Sequence, residues 1–337
     1  MSSSPSIVSS LANASQQITL YLGQSILIFG IIGGTLNLIV FLSLKTFRQS
    51  SCAFYLIIMS CVNIGQLVTG CLSRIMIVGY NIDWTQTSLF YCKSRWFFFQ
   101  TFTLTSYACM CFAIIDQYLA TSTYRRWQHW NNIKLAYCLC TVSFIFTILH
   151  GFPSIIYFNF TNLPTTNKLI CTITNSVYQR YRTYGFNVFL AGALPVFTTV
   201  LFGSLAYRNV KHLASRTVPL VRRELDRQLT SMVLVQVVYI SIAVVPYTTV
   251  IIIISNLDLQ NKPILAAELQ LAECLGAIIY YSYFAAPFYI YICASKRFRQ
   301  QLIYVLCRIH ANYCRKPTRI NNQISPESQM NSNTNKD

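Results

Sequence analysis

The chain has 337 residues, of which 54% are hydrophobic and only 10% charged, with a mean hydropathy of +0.44. Soluble domains carry about 25% charged residues, so an ordinary cytosolic enzyme, a secreted disulfide scaffold and a disordered chain are all excluded. The formal charge of +17 therefore needs an explanation other than a soluble basic surface.

Taken in chain order, seven apolar stretches are each bounded by charges or turn residues: Ile18–Leu44, Ser51–Ser73, Trp96–Ala120, Leu135–Phe158, Tyr184–Ala206, Leu229–Ile254 and Leu271–Ala294. Each is long enough to cross a hydrocarbon core, which takes about 20 residues of helix. No basic residue precedes the first stretch, and a signal peptide would want a positive start and a shorter apolar core; it reads as a retained helix. Within the seven, the only acidic residues are Asp116 and Glu273, near opposite ends of their spans. If the N-terminus is outside, 19 of the 26 Lys and Arg residues fall on the inner side and 7 on the outer. The positive-inside bias predicts that orientation, and topology then accounts for most of the charge. A nucleic-acid role would need basic residues interleaved with stacking aromatics in a soluble segment, and none is present.

Residues 1–17 form a Ser-rich, uncharged outer tail with a glycosylation sequon at Asn13; a second sequon, at Asn159, falls where span four meets its outer loop. Residues 307–337 form the cytoplasmic tail, polar and Asn/Ser-rich beyond Pro317 and expected to be disordered. Most of the 13 cysteines lie inside apolar spans, where free Cys behaves as a small hydrophobe. No Cys/His cluster has zinc-ligand spacing, and no cofactor is called for. His150, the one histidine within a span, reads as a polar group satisfied by a neighbouring helix. Cys92 and Cys171 are the only cysteines in predicted outer loops, an oxidising compartment, and a bridge between them would pin the long outer loop onto span three. Cys307 and Cys314 follow a basic amphipathic stretch on the inner side and are candidates for palmitoylation.

The order of features over residues 18–306 resembles the rhodopsin-like family of G-protein-coupled receptors. Asn37 matches the family's lone Asn in helix 1. Asp116-Gln117-Tyr118 stands where the family has Asp-Arg-Tyr, 24 residues after Cys92, or about 36 Å along a helix. Pro195, Pro246 and Pro287 fall inside spans five, six and seven, where the family's helices bend, because a Pro removes a backbone hydrogen bond. Ala286-Pro287-Phe288-Tyr289-Ile290-Tyr291 stands at the family's Asn-Pro-x-x-Tyr. Phe298, Leu302, Val305 and Leu306 then share a face opposite Lys296, Arg297 and Arg299, suiting a short helix in the membrane interface. The resemblance implies an all-α membrane protein: a seven-transmembrane helix bundle, N-terminus outside, in the plasma membrane, with a short interfacial helix after the seventh span. Five positions depart from the family: Asn63 for Asp in helix 2, Gln117 for Arg in helix 3, Val244 for Trp in helix 6, and Ala286 and Ile290 in helix 7. Asn37 and Asn63 have a plainer reading as interhelical polar contacts. Without its carboxylate and one amide, the family's sodium pocket is not expected to operate.

The resemblance also implies partners: an extracellular ligand, a heterotrimeric G protein and the lipid bilayer. The ligand-binding group would comprise Phe99, Gln100 and Thr103 on span three with Tyr280 and Glu273 on span seven. Phe99 stands where amine receptors have Asp, and Tyr280 where opsins have Lys, so amine and retinal ligands are disfavoured. A net outer charge of +4 would steer ligands with acidic groups inward, and a peptide is expected, the overall flavour being that of FMRFamide-like neuropeptide receptors. Glu273 is expected at the pocket mouth, paired with a basic ligand group or with an outer Arg such as Arg180 or Arg182, or else solvated near the interface. The G-protein-facing group would be Asp116, Gln117, Tyr118, Arg125, Arg126, Arg222, Arg223 and Asp226; the basic run from Arg222 could equally be a topology signal alone. Gln117 is neutral and cannot form a charged lock with Asp226, and Asp116 is expected to turn to Arg125, Arg126 or water. The alternative is a multi-span transporter or channel, which would want ionisable or broken-helix sites near the membrane middle. A membrane enzyme would need a nucleophile with its base, and none is seen at mid-depth.

Overall fold

The computed structural model describes residues 3–43, 49–122, 125–128, 130–162, 169–212, 220–257 and 262–314. Seven helices among them are long and apolar enough to cross a membrane. These are α1 (Ser3–Ser43), α2 (Ser51–Gly79), α3 (Leu89–Thr121), α4 (Ile133–Tyr157), α5 (Ser176–Lys211), α6 (Leu220–Asn256) and α7 (Pro263–Ala285). After α7 a shorter helix, Pro287–Ala294, continues the span, and α8 (Lys296–Cys314) follows it. A hairpin of β1 (Phe158–Asn162) and β2 (Leu169–Ile173) joins α4 to α5.

Local sequence explains where the helices begin. Ser50, Ser88, Asn132 and Asn175 each use a side-chain oxygen to accept from a backbone N–H in the first turn of α2, α3, α4 and α5. Pro263 opens α7, where its missing N–H costs nothing. Several helices outrun their apolar stretches: α1 starts at Ser3 rather than Ile18, α5 at Ser176 rather than Tyr184, and α7 at Pro263 rather than Leu271. Hydropathy marks the hydrocarbon layer, and a capped helix needs no apolar residues to extend beyond it. The outer part of α1 is held by tertiary contact: Ser15 and Thr19 are buried, Thr19 Oγ1 lies 3.2 Å from Cys274 Sγ, and Gln16 donates to the Gly79 carbonyl.

Of the three expected kinks, Pro246 lies inside α6, and Pro195 follows a wide-turned segment of α5 (Tyr181–Ala193). Pro287 divides the seventh span at Ala286, so its helix ends at Ala285 and restarts. Pro153 inside α4 is a fourth proline site that the sequence reading passed over. Gly30 lets α1 approach α7 closely, since a Cβ there would stand 2.8 Å from the Ala285 Cβ.

The bundle interior has two packed regions. Toward the inner face, Phe41, Leu56, Met59, Met110, Ile114 and Tyr291 form one. Toward the outer face, Leu67, Phe99, Tyr107, Phe186, Tyr280 and Phe284 form the other. Large apolar side chains such as Phe146, Leu149 and Ile156 on α4 stay exposed, as a lipid-facing surface requires. On α8, Phe298 is fully buried between Phe41 and Tyr291, at ring-centroid distances of 5.5 and 5.7 Å; Val305 is buried, and Leu306 is exposed at the edge of that face.

Candidate functional site

The outer end is organised around a disulfide. Cys92 in the first turn of α3 is bonded to Cys171 on β2, with their Cα atoms 5.8 Å apart. Cys171 pairs across the hairpin with Phe160, so the bond lays the hairpin over the outer end of α3. Buried beneath it are Cys92, Phe158 and Tyr178.

One turn inward, Trp96 stacks on Phe158 at 5.2 Å and meets Phe99 edge-on at 5.7 Å. Phe99 in turn lies 6.2 Å from Tyr280, whose hydroxyl is 3.0 Å from Thr103 Oγ1 and whose ring packs on Tyr247 of α6 at 4.8 Å. Phe99, Thr103 and Tyr280 thus share one cluster that joins α3, α6 and α7. Gln100 is committed elsewhere: its Nε2 lies 2.7 Å from His150 Nδ1, and its Oε1 accepts from Ser154, whose hydroxyl also reaches Tyr178. The same network satisfies His150, which also bonds the Tyr181 hydroxyl through Nε2. His150 is held by neighbouring helices, in line with its sequence reading.

Glu273 pairs with an outer arginine, and that arginine is Arg74. Its carboxylate takes a two-pronged ion pair from Arg74 of α2, at 2.8 and 2.6 Å, with side-chain exposures of 15% and 21%. Arg180 and Arg182 are on α5, and the pairing of Glu273 is with Arg74. A two-pronged guanidinium–carboxylate contact is among the stronger charge-assisted pairs, and it engages both Glu273 oxygens.

Among the described residues, Arg182 and Arg95 make no ion pair. The Arg182 guanidinium lies over the Trp96 ring at 3.9 Å and over Phe158 at 4.9 Å, and Arg95 stands 5.0 Å from the same Trp96 ring. Arg182 Nη1 is shielded from solvent and has no hydrogen-bond partner. Among the described residues the Arg74–Glu273 pair is the only ion pair.

At the inner end, Asp116 is buried and accepts from Ser51 at the start of α2 at 2.7 Å; the Ser51 hydroxyl is also 2.8 Å from Asn131 Oδ1. Ser51 lies in the first turn of α2, at the inner end of a helix packed along α3. Gln117 is almost completely buried, and its Oε1 accepts from Thr230 of α6 at 2.8 Å. Tyr118 packs against Phe202 of α5 at 5.6 Å, and Arg126 is exposed. The side chains of Arg125, Arg222, Arg223, Asp226 and Cys314 lie outside the described residues. Cys307 is exposed on α8. Between α5, α6 and the start of α8, a cavity of ≈ 700 Å³ is lined by Tyr207, Gln228, Thr230, Leu234, Lys296 and Arg299.

Midway between the ends, Asn63 Oδ1 accepts from Ser106 at 2.6 Å, while Asn37 is buried on α1. Gln66 is fully buried with neither amide atom bonded, and Gln236 accepts from the Tyr291 hydroxyl at 2.8 Å. Ser51, Thr230, Gln66 and Gln236 were not singled out from the sequence. The two glutamines carried a usable signal, since an amide in an apolar span is rare and costly without a role. Asn13 and Asn159 are both exposed, Asn13 on α1 and Asn159 on β1. Among the described residues, no group of three or more His, Cys, Asp or Glu side chains could hold a metal ion.

Residues 34–308 match the sequence model described as 7 transmembrane receptor (rhodopsin family). No curated protein shows a significant match to the chain.

Proposed function

Since the chain belongs to the rhodopsin family of seven-transmembrane receptors and is a multi-pass membrane protein, we propose that it binds an extracellular peptide and passes the signal to a heterotrimeric G protein. The supporting observation is that α3 and α6 carry both ends of the device. Phe99 and Thr103 of α3 meet Tyr247 of α6 through Tyr280 at the outer end, and Gln117 of α3 bonds Thr230 of α6 at the inner end. A ligand that repacks the outer cluster acts on the helix whose inner end is tied to α3 by a neutral hydrogen bond. Such a ligand biases two packings of the bundle, provided it binds one better than the other.

The net positive outer face favours a ligand with acidic groups. An FMRFamide-like neuropeptide is the finer placement within that reading. The inner cavity beside Thr230, Lys296 and Arg299 suits an amphipathic helix of a partner docking in a groove.

A neuropeptide library applied to cells expressing the chain, read by G-protein dissociation, tests this directly. The expected result is a saturable response to one peptide class, absent from cells without the chain. Peptide-independent ionic currents, or silence toward every peptide at verified surface expression, would overturn it.

A further inference from the structure

The outer cluster holds more positive charge than it balances. Arg74 is neutralised by Glu273. Of the other described outer acids, Asp83 accepts from Thr85 and Gln86 in its own turn and acts on Arg95 only through its field, without an ion pair, and Glu268 is exposed on α7. Arg182 and Arg95 remain, both against Trp96, with Tyr178, Tyr247 and Tyr280 in the field of Arg182. A charge withdrawn from water without a partner is costly, so the pair is a place where an incoming anion removes an existing penalty.

The geometry also selects the kind of anion. A guanidinium held over an indole is attracted through its charge to the ring face, which leaves its N–H donors available to a second partner. Arg182 Nη1 is such a donor, unbonded. Planar N–H pairs match the two oxygens of a carboxylate. Trp96, Arg95, Arg182 and Tyr247 each keep partial exposure, and Trp96, Tyr247 and Tyr280 offer aromatic walls to an apolar body attached to the anion.

We propose that Arg182 and Arg95, stacked on Trp96, form the anchoring site for a carboxylate of the extracellular ligand. The proposal rests on the receptor reading for the word ligand, but carboxylate binding is measurable without any signalling. The probe is 4-hydroxyphenylacetate, with its neutral isostere 4-hydroxyphenylacetamide as comparison. Both are titrated against the purified full-length chain in lipid nanodiscs, following thermal stabilisation and saturation-transfer NMR. Charge-assisted hydrogen bonds predict that the acid binds about 10- to 100-fold tighter than the amide. Arg182→Gln should abolish that preference and Arg95→Gln should reduce it, whereas Glu268→Gln, at an exposed position, should leave it intact.

Equal binding of acid and amide, no binding of either to the unaltered chain, or an undiminished preference in a folded Arg182→Gln variant would overturn the proposal. If Arg182→Gln fails to fold, the acid-to-amide comparison on the unaltered chain and the Arg95→Gln titration decide it. Acid preference together with silence in the peptide screen would count against the receptor reading and leave the carboxylate site standing. A peptide response without acid preference would do the reverse.

Discussion

Gln117 joins the inner end of α3 to α6 through a neutral hydrogen bond. Gln117 is neutral and buried, and Thr230 donates to it across the α3–α6 interface at 2.8 Å. A neutral hydrogen bond contributes about 0.5–1.5 kcal/mol, enough to shift a two-state equilibrium by roughly 2- to 10-fold. Thr230→Val keeps the shape and removes the hydroxyl, leaving the Gln117 oxygen without that donor. Ligand-independent G-protein activation should rise about 2- to 10-fold at matched surface expression; no change in basal signalling would show that the bond does not restrain α6. The neutrality of Gln117 is plain in the sequence. Its partner is not, because Thr230 is one of many hydroxyl residues and only the packing of α6 on α3 selects it. Asp116 gives the same lesson: its buried carboxylate accepts from Ser51, 65 residues away in the chain. Arg74 and Glu273 are 199 residues apart in the chain, so no spacing rule could have joined them.

The elements divide into those that local chemistry defines and those that need tertiary support. Four helices begin at Ser or Asn caps, and α7 begins at a proline, all visible in the sequence. The hairpin does not stand alone, since an isolated pair of strands is marginal in water. Cys92–Cys171 closes a segment spanning 79 residues and ties β2 to α3. In the chain-entropy account a loop of that length corresponds to about 4.5 kcal/mol of stabilisation. Cys171→Ser should therefore lower surface expression and the melting midpoint of the purified chain, and should weaken binding of any ligand that enters beneath the hairpin. Non-reducing peptide mapping of the unaltered protein should find the two cysteines linked; finding both thiols free would remove the basis for this expectation.

At the scale of the whole molecule, the asymmetry of Lys and Arg predicts that the N-terminus is outside the cell and the C-terminus inside. An epitope tag at the N-terminus should be stained on intact cells, and one at the C-terminus only after permeabilisation; the opposite pattern would reverse both faces of the receptor reading. Seven apolar stretches, an orientation bias and two outer cysteines were legible in one sequence because each depends on local composition against a fixed solvent, the bilayer, or on the compartment outside it. The extent of α1, α5 and α7 beyond those stretches was not, because hydropathy reports the hydrocarbon layer and not the length of a helix. Seven spans, their order and the family resemblance are thus set by the chain's own residues. Which side chains meet was decided by packing alone: Arg74 with Glu273, Gln117 with Thr230, Gln100 with His150, Arg182 over Trp96. The physical reason is that a polar group at membrane depth must find a partner wherever neighbouring helices bring one, and helix adjacency is a property of the bundle rather than of any segment.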